Sequence, residues 1–94
     1  MNKYLVEFLG TLFLMYTIVA TGNWAAIGGA LAIAALFGGP ISGGAYNPAV
    51  ACGLYANGKL AKEDLVPYMI VEILGALAAV YIHKDVANKA KSHE

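Results

Sequence analysis

The sequence predicts an all-α membrane protein made of three membrane-crossing helices and one re-entrant half-helix. Three observations carry that reading. First, 60% of the 94 residues are hydrophobic and 13% are charged, which is too apolar for an ordinary soluble domain, in a chain too short for two domains. Second, the charges fall in three small zones, separated by apolar stretches close to the roughly 17–25 residues that a bilayer core requires. Third, the middle stretch is interrupted by Gly38-Gly39-Pro40 and restarts at Asn47-Pro48.

The same composition excludes several function classes. Six Lys, six acidic residues and no Arg give zero formal net charge, so the basic footprint of nucleic-acid binding is missing. The single Cys52 and the two His residues, His83 and His93, supply neither an internal disulfide nor a ligand set for a metal, and no cofactor is expected. No nucleophile–base pair occurs outside the tail, where His83 and Asp85 lie, so no enzymatic activity is expected.

The first span is read at 4–21, apolar except for Glu7, and is closed by Gly22-Asn23 before the interfacial aromatic Trp24. A cleaved leader is the competing reading of a Lys-containing start, but Glu7 would fall inside its apolar region and no clear A-x-A site follows it. The second span is read at 24–40. No charge occurs from Trp24 to Tyr55, yet the Gly/Pro break and the Ser42-Gly43-Gly44-Ala45-Tyr46 run forbid one straight helix. Asn47 is placed to cap a new helix, with Pro48 at its first position, where the missing N–H is harmless. Segment 41–56 is therefore a re-entrant loop and half-helix, within which Cys52 is expected to pack. A charged loop, Asn57 to Asp64, precedes the third span at 65–82, which contains a second acid, Glu72, and has Tyr68 and Tyr81 as expected interface anchors. The polar tail 83–94 is read as an exposed helical extension. Small residues at Gly28, Ala32, Ala35 and Gly39, and at Gly75 and Ala79, are expected to let helices approach closely.

The run Ile41-Ser42-Gly43-Gly44-Ala45-Tyr46-Asn47-Pro48-Ala49-Val50 resembles the signature loop of the aquaporin, or major intrinsic protein, family. Glu7–Thr11 resembles that family's first helix and Glu72–Ala76 its third, where Gln is more usual. The resemblance extends from about Tyr4 to His83 but matches only half a family protein, which has six spans and two such loops in inverted halves. It implies an aquaporin-like half, one domain over 1–94, whose pore is completed by an inverted second copy. It also implies an integral protein of the cell membrane, plasma or inner, that passes water or small neutral solutes such as glycerol. Asn47, Pro48 and Ala49 are then the pore motif, and Glu7 and Glu72 are structural buried acids, Glu7 bracing the loop backbone. The family's constriction, carried over, draws on Ile27, Ala35, Gly44 and Val50. The position of Val50 carries an Arg in one half of family members, and this chain has none.

Physical chemistry gives that loop a task. Irregular backbone at membrane depth survives only when buried in protein or lining a wet cavity, so the carbonyls of Gly43, Gly44 and Ala45 are natural acceptors for a permeant. The half-helix N-terminus carries about half a positive charge, and the Asn47 amide can point donors into the pore. A half-helix of two turns stops near midplane and needs a partner from the other side. Lys3, Lys59 and Lys62 fall on one side of three spans and Lys84, Lys89 and Lys91 on the other, so no orientation is favoured and insertion both ways is expected. The expected partners are thus a second, inverted copy, with four such pairs if the family's tetramer holds, a small neutral solute and membrane lipid. With no Arg or Lys within reach by span depth, the brace Glu7 is expected to use backbone and hydroxyl donors such as Thr11 or Tyr16 as partners. Two other classes compete: a proton-coupled small transporter using Glu7 and a holin-like membrane protein.

Overall fold

The computed structural model describes residues 1–92; the last two residues of the expected tail lie outside the described residues. Four helices follow in order: α1 (Lys3–Thr21), α2 (Trp24–Ser42), α3 (Pro48–Ala56) and α4 (Lys62–Ser92). Three of them, α1, α2 and α4, are long and apolar enough to cross a membrane, so the architecture is all-helical with three spans and one half-length helix.

Local chemistry sets the boundaries. Three Asn residues cap three helix starts, Asn2 accepting from Tyr4 and Leu5 N–H, Asn23 from Ala26 N–H and Asn47 from Ala49 N–H. Gly22 and Gly43 close α1 and α2 in the left-handed region, at φ 54° and 88°, with their N–H groups returned to Ile18 and Gly39 carbonyls. At α4 the acids Glu63 and Asp64 occupy the first turn and Lys89 and Lys91 the last, both favourable to the helix dipole.

Two elements extend beyond their expected bounds. The second helix does not stop at 40: it passes through Pro40 and ends at Ser42. Pro40 lies in the last turn, where it removes only its own N–H from the ladder, which still closes with Gly43 N–H on the Gly39 carbonyl at 2.8 Å. The helix of the third span begins at Lys62, before its expected start, and continues to Ser92 as the expected helical extension, one helix of 31 residues. At about 1.5 Å per residue it exceeds a bilayer core of roughly 30 Å, so its polar end projects from the membrane.

Helix α1 packs against both α2 and α4, and α3 rests on α4. Helices α1 and α4 run parallel: Lys3 Nζ meets Asp64 Oδ2 at 2.8 Å at their starts, and the rings of Tyr16 and His83 meet at 5.6 Å toward their far ends. The small-residue expectation divides. Gly75 lies against Phe8 and Thr11 of α1, and Ala79 is fully buried. On α2, however, Gly28, Ala32 and Ala35 are exposed and Gly39 is half-buried against the loop rather than a helix, and the buried small residues are Ala30, Ala34 and Gly38, a different stripe of the same helix. Tyr68 is not an interface anchor. It is buried in a cluster with Ala45 and Ala51, because its hydroxyl has a carbonyl to reach inside the protein, that of Ser42 at 2.6 Å. Tyr81 is exposed.

Candidate functional site: the re-entrant loop and its carboxylate brace

Residues 43–46 connect α2 to α3 without secondary structure, and every N–H in that stretch has a partner. Gly43 N–H reaches the Gly39 carbonyl at 2.8 Å, and Gly44 N–H reaches Ser42 Oγ at 3.2 Å. Ala45 N–H and Tyr46 N–H reach Glu7 Oε2 at 3.1 Å and Oε1 at 2.8 Å, while the Ser42 hydroxyl donates to Glu7 Oε2 at 2.6 Å. Glu7 is fully buried with these three donors around its two oxygens. Thr11 and Tyr16 are not its partners: Thr11 Oγ1 has none, and the Tyr16 ring meets His83 edge to face. Ser42, which sequence reasoning passed over, takes that place because α2 runs two residues further than the Gly/Pro break suggests.

With its donors committed inward, the loop presents acceptors. No hydrogen bond among the described residues reaches the carbonyls of Gly43, Gly44 or Ala45. Gly43 is exposed and Gly44 half-buried, whereas the Ala45 side chain is enclosed against Tyr68 and Ala51.

Tyr46 locks this arrangement. It is the one non-glycine residue with positive φ, 54°, among the described residues. Its ring fills a notch where a Cβ on Gly10 or Gly38 would collide with it, and its hydroxyl donates to the Ala34 carbonyl at 2.6 Å. Position 46 gave no sequence signal for this role, because the notch is made by glycines on two other helices.

Asn47 is exposed, and its Oδ1 accepts from Ala49 N–H at 2.8 Å. Its Nδ2 donors are therefore free to face out of the chain. They do so at mid-depth, since Asn47 and Pro48 share a cavity of about 310 Å³ with Thr11, near the middle of α1, and Glu72, near the middle of the apolar part of α4. Helix α3 then runs back toward the face that holds Lys3 and Asp64. Its nine residues span about 13 Å, less than half a bilayer core.

The four carried-over constriction residues are only partly brought together. Gly44 packs on the backbone of Ala35 and Gly39. Ile27 is half-buried two turns away along α2, and Val50 is exposed in the first turn of α3. Cys52 is exposed rather than packed, since α3 touches α4 alone and Cys52 lies on its other side. Among the described residues no group of His, Cys, Asp and Glu could hold a metal.

Comparison with known proteins points in one direction. The model of the major intrinsic protein family matches residues 21–94. An aquaporin Z of Brucella melitensis is 37% identical, over 87% of this chain and 42% of that protein. A glycerol uptake facilitator protein-like 6 of Lactiplantibacillus plantarum is 40% identical, over 84% of this chain and 41% of that protein. An aquaporin Z of Rhodopseudomonas palustris is 34% identical, over 95% of this chain and 43% of that protein. The chain spans about two fifths of the length of these curated relatives. No solved structure matches it.

Proposed function

The chain belongs to the major intrinsic protein family, and from that premise we propose that it forms one half of a passive channel for water and small neutral solutes, completed by an inverted second copy. The observation that carries this reading is the loop itself. A bare, irregular backbone segment lies between membrane-length helices with its N–H groups bound inward to Glu7 and Ser42 and its carbonyls unpaired. Such carbonyls are stable in a membrane only against a polar lumen, where they replace part of a permeant's hydration. The Asn47 amide adds donors at midplane, and the α3 N-terminus adds a positive end that opposes cations.

The half-length of α3 and the free Asn47 donors support a partner on the opposite side, because one copy leaves this face of the loop unenclosed. An inverted copy of the same chain fits the equal division of Lys between the two faces. The wall near Gly44 and Val50 is apolar and has no Arg, which suits glycerol-sized solutes, ammonia or gases better than a strict water filter. A proton-coupled carrier would need Glu7 free to exchange protons with the lumen; three inward donors on a fully buried carboxylate oppose that role.

The test is reconstitution of the purified chain alone in liposomes, with stopped-flow light scattering after water and glycerol gradients. Flux above that of empty liposomes is expected for both. Flux that appears only when a different, Arg-bearing half is added would replace the inverted homodimer with a heterodimer.

A further inference from the structure

Glu72 is the buried acid to which the loop geometry gives no hydrogen bond. It is fully enclosed one turn before Gly75, whose missing Cβ lets α4 lie against Phe8 and Thr11 of α1. Helices α1 and α4 run parallel and Gly75 lies level with Phe8, Thr11 and Leu12, so Glu72, three residues before Gly75, lies level with Glu7, and both acids are fully buried. Even so, neither Glu72 oxygen has an aligned donor, and the Thr11 hydroxyl beside it is equally unpartnered. No cation offsets the two acids, since the ion pairs among the described residues are Lys3–Asp64 and Lys89–Asp85. The remaining titratable groups facing them are phenols, Tyr46 from the loop and Tyr68 from α4.

Two carboxylates in contact away from water repel strongly, whereas one hydrogen placed between them makes a short, charge-assisted hydrogen bond. Both Glu7 oxygens already receive donors from the loop, so Glu7 is the accepting member and Glu72 the donating one. We propose that Glu72 is a positioning residue: its carboxyl and that of Glu7 hold a single hydrogen between them, and this bond fixes Glu7 in the orientation that receives Ala45 and Tyr46. Alkali removes that hydrogen to solvent and leaves two anions in contact. They separate, the brace on the loop N–H groups loosens, and the carbonyls of Gly43 to Ala45 lose their direction. A Gln at position 72 supplies an N–H donor in the same place and cannot lose it. The effect on flux rests on the channel reading above; the carboxyl pair does not.

Infrared spectroscopy of the purified full chain in lipid tests the pair without requiring conduction. The wild type should show the C=O stretch of a protonated carboxylic acid at neutral pH, shifted in D2O and lost on raising the pH. Glu72→Gln and Glu72→Met should both lack it, and either folded variant assigns the band; if neither folds, the wild-type band and its loss with alkali decide alone. A wild type with no such band at neutral pH, or a folded variant that keeps it, overturns the proposal. In liposomes that conduct, wild-type flux should drop several-fold across the pH range in which the band disappears, while Glu72→Gln flux stays flat. Parallel pH profiles for the two proteins overturn the positioning role.

Discussion

The carboxylate of Glu7, one turn into the first helix, accepts the backbone N–H of Tyr46 at 2.8 Å across 39 positions of sequence. That single contact joins a membrane span to the turn before the half-helix, and it holds Tyr46 in a left-handed conformation that costs a non-glycine residue of order 1–3 kcal/mol. The strain persists because three further interactions over-determine the position: the ring in its glycine notch, the hydroxyl on Ala34 and the neighbouring Ala45 N–H on the same carboxylate.

The notch makes a stability prediction. Gly10→Ala and Gly38→Ala each place a methyl group where the Tyr46 ring lies, between helices that cannot both retreat. Each should destabilise by ~1–3 kcal/mol, as overpacking of a tight core does. Tyr46→Phe keeps the ring and loses one hydroxyl bond, so it should cost less, about 0.5–1.5 kcal/mol. Thermal unfolding in detergent ranks the three; a Gly10→Ala protein as stable as wild type would mean that the ring does not occupy the notch.

Orientation gives a second prediction. The Lys3–Asp64 contact puts the starts of α1 and α4 on one face, so Lys3 and Lys62 share it while Lys84, Lys89 and Lys91 lie beyond the opposite face. A reporter fused after α4 should be found on both sides of the membrane. Replacing the exposed residues Ala87, Asn88 and Ala90 with Lys should fix the orientation and abolish flux, and co-expression with an oppositely biased copy should restore it. One-sided labelling of a wild-type chain that conducts by itself would end the inverted-pair reading.

The third prediction concerns Asn47. Asp also caps helices, so Asn47→Asp should fold with the Ala49 contact intact. It replaces the outward amide donors with acceptors and sets an anion at the α3 N-terminus. Neutral-solute flux should fall or cation leak should rise, read by stopped-flow scattering and by a pH-sensitive dye inside the liposomes. Wild-type values for both would reduce Asn47 to a helix cap.

The fourth concerns the apolar wall. Val50 is 44% exposed in the first turn of α3, and Val50→Arg would add five donors and a permanent charge there. Glycerol flux should be lost before water flux, and any proton or ammonium leak should decrease. Burial of the added charge is tolerable only if the guanidinium reaches the aqueous lumen and unpaired carbonyls. Equal retention of both fluxes in a correctly inserted protein would show that Val50 does not face the lumen.

Much of this protein was legible from periodicity and local rules. The three spans follow from the spacing of charged zones, and the start of α3 follows from Asn47-Pro48, because capping and proline geometry act within one turn of chain. The family loop and the acid at position 7 were also visible, since both are written in contiguous residues. Other features exist only between helices. Ser42 becomes a donor to Glu7 because α2 overruns Pro40; Tyr46 finds a notch because Gly10 and Gly38 meet it from two directions; Tyr68 turns from a surface aromatic into a core residue because the Ser42 carbonyl lies within its reach. Small residues at helical spacing mark several possible contact stripes on α2, and which stripe is buried depends on helix rotation, to which local sequence is blind and which packing against α1 decides.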